Sequence, residues 1–470
     1  MLNLREIDKE FDFIALHNYK PECYPYVLES TAYTQDQQVY SLLFAYPSES
    51  VALDQNGTLS IKAHNSGSKK QTNRAAESLS KKGDFCSVLD DWFECEKNSD
   101  INENNLPFIG GWFVYAGYEL ANSIEPKLQL PPANDGLPVA FATRVHAALI
   151  FNHNTNKLMA IAEQDYGYLL NDIAADIDQC LNSSNTEDTD VPAFASLIED
   201  DPDFYLNNVR KIKQYIKDGD VFQVNLSRKW QSIYSEHLPN RTIYKALRAQ
   251  NPSPFFGLAQ YGDVSILSSS PERLVKVQDN IVETRPIAGT RPRGQRSIDD
   301  KLNRVELIAH PKERAEHIML IDLERNDLGK ICIPGTISVN ELMVIESYAH
   351  VHHIVSNIRG ELEKNISTGD IIKAVFPGGT ITGCPKVRCM EIIAELESTG
   401  RGAYTGSMGY ISRDGSLDFN ILIRTLVNRD NCITFRAGAG IVADSDPEKE
   451  LQETRDKAKG ILLALGGRNF

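Results

Sequence analysis

Residues 403–437 read AYTGSMGYISRDGSLDFNILIRTLVNRDNCITFRA. Apolar residues recur through segments 403–411, 417–427 and 432–437, and the turn sequences Arg413-Asp-Gly and Asn428-Arg-Asp-Asn separate them. Turns this short join antiparallel neighbours, because parallel strands need a crossover of about a dozen or more residues. Along the rest of the chain, strand pairs joined by short turns also outnumber alternating strand–helix units. We therefore predict an α+β fold, with a large two-layer antiparallel β-sandwich core that is flanked by helices.

The length of the chain predicts more than one structural region. At 470 residues it exceeds what a single hydrophobic core usually supports. The segment 182–191 is polar, acidic and without periodicity, which makes it the best linker candidate. We therefore divide the chain into an N-terminal region, 1–182, and a C-terminal region, 200–467.

Charge and composition disfavour several classes of partner. The net charge of −15 disfavours nucleic acid or an anionic membrane surface as the main partner. No apolar run approaches the roughly 18 residues that a membrane span needs, and the N-terminus shows no secretory signal. The eight cysteines are scattered without a Cys-x-x-Cys pair, as is typical of reduced thiols. We expect a cytoplasmic protein that binds neither nucleic acid nor membrane.

A glycine-rich loop, Phe376-Pro-Gly-Gly-Thr-Ile-Thr-Gly383, leads into a helix that is predicted to start at Pro385. Glycines let a backbone approach an anion closely, and a helix start directs N–H groups and a partial positive charge at the same place. Lys386 and Arg388 add formal charge. The loop is not a nucleotide loop, because Gly-Lys-Ser/Thr is missing at its end. A seat for a small carboxylate and an ordinary turn before an amphipathic helix both suit the pattern.

Two pairs of glutamates stand three residues apart on predicted helices. Glu313 and Glu316 lie on a helix predicted over 300–324, and Glu450 and Glu453 lie on the last helix. This spacing places each pair on one helix face. The pairs could supply the carboxylates from which Mg²⁺ is usually held. A solvated acidic face, neutralised by neighbouring cations, explains each pair equally well.

Two further residues are candidates for proton transfer. Glu272 follows Ser-Ser-Pro at a strand–turn position, which suits a general acid with a raised pKa or a plain surface acid. His353 lies in His350-Val-His352-His353, and a strand sends His352 and His353 to opposite faces. An acid/base role and a structural role both suit His353, and spacing alone favours the structural role.

Together these residues resemble the chorismate-utilising family, which includes the first components of anthranilate synthase and aminodeoxychorismate synthase, and isochorismate and salicylate synthases. The resemblance is dense over 200–465 and weaker in the N-terminal region, where it rests on Leu28-Glu-Ser30 and on Gly110-Gly111 with Gly117-Tyr118. The matching C-terminal segments, in chain order, are 270–273, 284–294, 312–323, 325–327, 352–356, 376–390, 423–424, 437–441 and 450–453.

The resemblance implies a role for each candidate residue. Glu316 and Glu453 would bind Mg²⁺, which holds the ring carboxylate of chorismate, while Glu313 and Glu450 would act through metal-bound waters. Glu272 would protonate the departing C4 hydroxyl, with His353 beside it and Thr380 close to the substrate. The residues implied in binding the substrate, including the clamp on its enolpyruvyl carboxylate, are Gly289, Thr290, Tyr404, Arg424, Gly438 and Gly440. Leu28, Glu29 and Ser30 resemble the family's tryptophan pocket.

Within the family, the segments 223–226, 351–355 and 376–383 resemble aminodeoxychorismate synthase more than anthranilate synthase. We therefore predict Mg²⁺-dependent amination of chorismate to 4-amino-4-deoxychorismate, on the route to 4-aminobenzoate and folate. Ala288 departs from this pattern, because many aminodeoxychorismate synthases carry a nucleophilic lysine there, and how C2 is attacked stays open. Anthranilate formation, and a silent subunit that regulates a partner by binding chorismate or tryptophan, are the alternatives.

The chain lacks a Gly-x-Cys-x-Gly glutaminase motif. The resemblance therefore implies that ammonia comes from a separate glutamine amidotransferase subunit, component II. Isochorismate and salicylate synthases use a lysine to activate water at C2, and no such lysine is identifiable in this sequence.

Overall fold

A computed structural model of the chain describes residues 2–32, 39–64, 84–98, 105–183, 191–294, 296–348 and 351–467. Within these ranges, the side chains of Thr290, Pro292, Ser297 and Lys312 are not described. Most of the predicted linker, 184–190, lies outside the described residues.

The described residues form a large antiparallel sheet with helices around it. The strands are β1 Leu2–Glu6, β2 Tyr26–Glu29, β3 Tyr40–Leu53, β4 Leu59–Ala63, β5 Gly111–Ala116, β6 Ala140–Asn152, β7 Lys157–Glu163, β8 Ser196–Glu199, β9 Gln223–Ile233, β10 Phe255–Tyr261, β11 Val264–Ser270, β12 Arg273–Gln278, β13 Ile281–Arg285, β14 Ile287–Pro292, β15 Ser338–Ser347, β16 Val351–Glu361, β17 Gly383–Cys384, β18 Ser407–Ser412, β19 Leu417–Asn420, β20 Thr425–Arg429 and β21 Cys432–Ile441. The α-helices are α1 Phe13–Tyr19, α2 Phe85–Glu96, α3 Ala121–Ile124, α4 Leu169–Asn182, α5 Pro202–Asp218, α6 Asn240–Gln250, α7 Ser297–Ala309, α8 Pro311–Leu328, α9 Thr368–Val375, α10 Lys386–Glu397 and α11 Pro447–Ala464.

Two arms of strands extend from the long β3–β6 pair. The first arm runs β6–β5–β18–β19–β12–β13–β16, with β14 and β15 both paired to β16. The second arm runs β3–β2–β10–β11–β20–β21–β9, with β8 and β17 both paired to β9. Strands from the two sequence regions therefore pair directly, β2 with β10 and β5 with β18.

Aromatic side chains fill the space between the two arms. Tyr26 of the second arm stacks on Phe113 of the first at 4.0 Å between ring centroids. Phe141 of β6 lies 4.8 Å from Tyr261 of β10. Because one face of each arm is buried against the other, the arms form the two layers of a sandwich. The predicted α+β fold with a two-layer antiparallel core is confirmed.

The chain crosses between the layers at two neighbouring places. It passes from β11 to β12 through Pro271 and Glu272, and it returns from β19 to β20 through residues 421–424. The register brings the crossings together, because β11 pairs with β20 while β12 pairs with β19. Helix α8 packs on β14 and β16 of the first layer, and α11 packs on β21 of the second. Residues near the start of both helices line one cavity together with residues of the two crossings.

Two predicted elements are each divided in the structure, and the strand expected over 403–411 begins only at Ser407. The helix predicted over 300–324 is divided into α7 and α8 at His310 and Pro311, where His310 has ψ 114°. Proline disfavours the helical conformation in the residue before it, which explains the break. The strand predicted over 417–427 is also two strands, since residues 421–424 form the second crossing. No helix within the described ranges is long and apolar enough to cross a bilayer.

Candidate active site

A cavity of about 790 Å³ opens where the two crossings meet the starts of α8 and α11. It gathers almost all of the residues predicted for the catalytic site. Those that line it are Glu272, Gly289, Glu313, Glu316, His353, Thr380, Tyr404, Arg424, Gly438, Gly440, Glu450 and Glu453. Thr290 stands opposite His353 in the strand register, and its side chain lies outside the described residues. Positions separated by up to about 180 residues thus share one cavity.

Glu272 is a buried carboxyl group in the lining of the cavity. Its side chain is almost fully buried, because it stands at the first crossing with both layers around it. Burial raises the pKa of Glu272 to about 7, although the Thr380 hydroxyl, the Ile287 amide and the charge of Arg424 oppose this rise. A carboxyl group with a pKa near 7 is partly protonated at neutral pH, as a general acid requires.

The glycine-rich loop forms the wall beside Glu272. Residues Gly379–Ile381 make one 3₁₀ turn, which presents Thr380 to the cavity. The turn packs closely on α8, since a side chain at Gly379 would meet Leu323 at 2.4 Å. Gly383 ends the loop with φ 130°, and a Cβ there would lie 2.1 Å from the carbonyl oxygen of Gln223. The loop is therefore clamped between α8 and β9.

The two cations after the loop do not serve the cavity. Lys386 donates to Asp327 and to the carbonyl oxygen of Val375 at 3.2 Å. Arg388 pairs with Glu391 at 2.9 Å and with Asp220 at 3.6 Å. Neither lines the cavity, so the loop contributes Thr380 and backbone to the site rather than an anion seat with these two charges.

His353 reaches the cavity from β16 as a buried, neutral imidazole. Burial, and secondarily the charge of Arg424, lower the pKa of His353 to about 4. Its Nδ1 lies 3.4 Å from the carbonyl oxygen of Gly289, which occupies a bulge of β14 with φ 65°. His352 faces the other way, with Nε2 3.0 Å from Asp300. The predicted alternation of the two histidines is confirmed, and a neutral His353 can orient groups by hydrogen bonding.

One part of the cavity lining combines a guanidinium, a phenol and glycine backbone. Arg424 has φ 51°, and its carbonyl oxygen accepts from the amide of Ser269 at 3.1 Å, which fixes the second crossing. Gly438 and Gly440 lie on one face of β21, where side chains would come within 2.7 Å of the Tyr404 hydroxyl and 2.6 Å of Gln223 Nε2. A cation beside a phenol and a strand without side chains at Gly438 and Gly440 is suited to a carboxylate.

Four acidic residues enter the cavity from the first two turns of α8 and α11. Two of them have cationic neighbours: Arg291 Nη1 lies 3.4 Å from Glu313, and Lys457 Nζ lies 2.7 Å from Glu453. In the described part of the chain, no three acidic, histidine or cysteine side chains form a ready cluster for a metal ion. Mg²⁺ is commonly held by one or two carboxylates, with water and substrate oxygens around it. The donors present fit such an open site and would not form a closed cage.

Several cavity residues were missed in the sequence. Lys457 is the only lysine in the cavity lining among the side chains that the structure describes, and its Nζ donates to the carbonyl oxygen of Gly438 at 2.9 Å. It stands four residues after Glu453, so helical spacing could have identified it. Arg436 also lines the cavity, and it shares a strand face with Gly438 and Gly440. Asn225 and Gln223 line it from β9, within the segment 223–226 whose resemblance was noted but was not linked to a role in the site.

Leu28, Glu29 and Ser30 line a second cavity, of about 700 Å³. Its walls include Tyr410 and Met408, which suit an aromatic ligand. The carboxylate of Glu29 is already engaged within the protein, because the Tyr244 hydroxyl donates to it at 2.5 Å and Arg248 lies 3.3 Å from it. Tryptophan binding in this cavity stays a prediction. The two cavities share a wall of four residues, Pro254, Pro271, Ile287 and Tyr348.

Comparison with known proteins identifies the same family as the sequence resemblance, and it does so over most of the chain. The family described as chorismate binding enzyme matches residues 18–463. An anthranilate synthase component I-like protein of Synechocystis sp. is 45% identical over 382 residues, which cover 79% of this chain and 77% of that protein. Aminodeoxychorismate synthase component 1 of Bacillus subtilis is 40% identical over 401 residues, with 83% and 84% covered.

A solved structure extends the likeness to the whole fold. The crystal structure of anthranilate synthase component I from Streptococcus pneumoniae superposes with a TM-score of 0.78 at 29% identity, covering 91% of this chain and 93% of that one. The family match spans both sequence regions, and the cavity at the crossings contains, apart from Thr290, the residues that the resemblance implied for chorismate and Mg²⁺. The chain therefore belongs to the family of chorismate-binding enzymes.

Proposed function

We propose that this chain catalyses the Mg²⁺-dependent amination of chorismate to 4-amino-4-deoxychorismate, with ammonia supplied by a separate glutamine amidotransferase subunit. The observation that carries this proposal is the position of Glu272, a buried carboxyl group with a pKa near neutrality, in one cavity with Arg424 and four acidic residues. Chorismate is a dicarboxylate with a poor leaving group, so it needs cations at its carboxylates and a proton donor at C4.

Two groups of cavity residues would hold the two carboxylates of the substrate. Arg424, Tyr404 and the backbone at Gly440 would bind the enolpyruvyl carboxylate. Glu316 and Glu453 would hold Mg²⁺, with Glu313 and Glu450 acting through water. The metal would supply positive charge at the ring carboxylate, which these acidic residues alone would repel.

Glu272 would then protonate the departing oxygen. A nucleophile adds at C2, the two ring double bonds shift by one position, and the C4–oxygen bond breaks as Glu272 gives its proton to the hydroxyl, which leaves as water. Ammonia adds at C4 with the reverse shift and expels the group at C2. The overall reaction consumes one ammonia and releases one water. Because Ala288 lines the cavity where a lysine nucleophile would stand, the first nucleophile is water or ammonia.

Two observations favour anthranilate formation as a second candidate. Ala288 removes the covalent route that many aminodeoxychorismate synthases use, and several similar proteins are named anthranilate synthase component 1. That reaction would use the same acid and the same cavity. It differs in leaving the amino group at C2 and eliminating the enolpyruvyl group as pyruvate. The segments 223–226 and 376–383 support the C4 assignment by their resemblance.

A product assay separates the two candidates. The purified chain is incubated with chorismate, Mg²⁺ and ammonium, and the product is identified by mass spectrometry while pyruvate is measured. We expect a non-fluorescent product that retains the enolpyruvyl group, with no pyruvate released. A fluorescent product with one pyruvate for each chorismate would overturn the proposal in favour of anthranilate. Turnover that Glu272→Gln abolishes would dismiss a silent regulatory subunit.

A further inference from the structure

We propose that Arg401 is a positioning residue for the chorismate cavity, and that its buried pair with Glu397 holds four separate parts of the cavity lining in register. The inference rests on the proposed function only in taking chorismate as the ligand of this cavity. Arg401 and Glu397 do not line the cavity themselves, and both are almost fully buried behind it.

Every N–H group of the Arg401 guanidinium has an acceptor. Nε and Nη2 donate to the Glu397 carboxylate at 3.0 and 2.6 Å. Nη2 also donates to the carbonyl oxygen of Asn225 at 2.8 Å, and Nη1 donates to the carbonyl oxygen of Ile381 at 3.1 Å. The fifth bond runs to the Thr405 hydroxyl at 3.3 Å. Such saturation fixes the planar group in one orientation.

Two of the hydrogen-bond partners of this guanidinium are themselves cavity residues. Asn225 and Ile381 line the cavity, and the Arg401 group lies 5.6 Å from the ring centroid of Tyr404, which lines it too. Ile381 directly follows Thr380 in the 3₁₀ turn. One buried cation therefore links β9, the loop beside the proposed acid and the phenol of the proposed carboxylate clamp.

Glu397 extends the arrangement to a fourth part of the lining. Its carboxylate accepts from Arg436 Nη2 at 3.0 Å, and from the amide and hydroxyl of Ser227, both at 2.8 Å. Arg436 lines the cavity from β21, two residues before Gly438. Burial raises the pKa of Glu397, but Arg401 and Arg436 outweigh it and hold that pKa below its usual range. The carboxylate thus stays charged and keeps both guanidinium groups in place.

Lysine cannot reproduce this arrangement. It carries three donors on a compact ammonium, whereas the five bonds of Arg401 diverge in a planar fork. Arg401→Lys should therefore release part of the link among Asn225, Ile381 and Tyr404 while keeping the charge. Because these groups line the cavity in which chorismate would bind, their displacement should weaken ground-state and transition-state binding alike. We expect KM for chorismate to rise about 10-fold or more, with kcat within about 3-fold of the wild-type value.

A merely structural role predicts a different result, and Arg144→Lys is the matched control. Arg144 is equally buried, with Nη1 donating to the carbonyl oxygens of Gly111 and Val145 and forming an ion pair with Glu163, but it lies outside the cavity lining. Both lysine variants should lower Tm. Only Arg401→Lys should raise KM.

Two milder variants, Thr405→Val and Thr405→Ser, test the same proposal if Arg401→Lys does not fold. Loss of the acceptor hydroxyl in Thr405→Val should raise KM about 2- to 5-fold, and Thr405→Ser should restore it.

The experiment follows chorismate consumption rather than product, so that it holds whichever amine is formed, with calorimetric binding of chorismate as a second readout. A rise of KM in Arg401→Lys or Thr405→Val, absent in Arg144→Lys and restored in Thr405→Ser, supports the assignment. An unchanged KM in the folded variants, or an equal rise in Arg144→Lys, overturns it while leaving the proposed function intact. A wild-type chain that neither binds nor consumes chorismate overturns both.

Discussion

The backbone amide of Ile421 donates a hydrogen bond to the carbonyl oxygen of Glu272 at 3.0 Å. The two residues are 149 positions apart, yet each stands where the chain crosses from one layer of the sandwich to the other. Because the crossings are bonded to each other, the proposed acid and Arg424, three residues after Ile421, are held in the same cavity. The site is thus a consequence of the strand register that brings the two crossings together.

The pH dependence of turnover should report the protonation of Glu272. A general acid must carry its proton, and burial raises the pKa of Glu272 to about 7. We therefore expect kcat/KM to fall as pH rises above about 7, measured between pH 5 and 9 at saturating Mg²⁺. His353 should contribute no limb in this range, because its pKa is lowered to about 4. Glu272→Gln should lower kcat at least about 100-fold and remove the limb. A limb that survives in Glu272→Gln would assign the titration to another group.

The same substitution should stabilise the fold at high pH. A carboxyl group whose pKa is raised from 4.5 to about 7 on folding binds its proton more tightly in the folded state. The folded state therefore loses stability as pH rises from 4.5 through 7, by roughly 3 kcal/mol above both values. Glutamine does not ionise, so Glu272→Gln should be more stable than the wild type at pH 8, and this advantage should shrink at pH 5. Denaturant unfolding at the two pH values measures the difference. An equal difference at both pH values would contradict the pKa assigned to Glu272.

The sandwich was predictable because its signal is local. Alternating apolar segments and short turns specify antiparallel neighbours without any knowledge of distant residues. The division of α7 from α8 was also readable, since Pro311 stands inside the predicted helix. The hydrogen bonds of Arg401 could not be predicted from the sequence, because their acceptors at Ile381 and Asn225 lie 20 and 176 positions away. Only strand register brings such groups together, and no short pattern encodes it. Lys457 falls between these cases, because its spacing from Glu453 was visible but also suits an ordinary surface pair.

The proposed metal site can be tested on one helix with a matched control. Glu453 lines the cavity from α11, whereas Glu448 is exposed in the first turn of the same helix and does not line it. If Glu453 is a ligand, Glu453→Gln should weaken Mg²⁺ binding and the Mg²⁺ dependence of turnover about 10-fold or more. Glu448→Gln should leave both unchanged. Calorimetric titration with Mg²⁺ in the presence of chorismate measures binding independently of turnover. An unchanged metal response in Glu453→Gln would refute its role.

Tryptophan should bind the second cavity and stabilise the chain. A ligand that binds only the folded state adds RT ln(1 + [L]/Kd), which is about 2.7 kcal/mol at 100 times Kd. Tm should therefore rise with tryptophan concentration, as measured by thermal unfolding. Leu28→Arg should abolish the rise, because Leu28 lines the cavity and the larger charged side chain would occupy it. Leu4→Arg is the control, since Leu4 is 36% exposed on β1 and lines neither cavity. A rise that persists in Leu28→Arg would place the amino-acid site elsewhere, and no rise in the wild type would leave the cavity without this ligand.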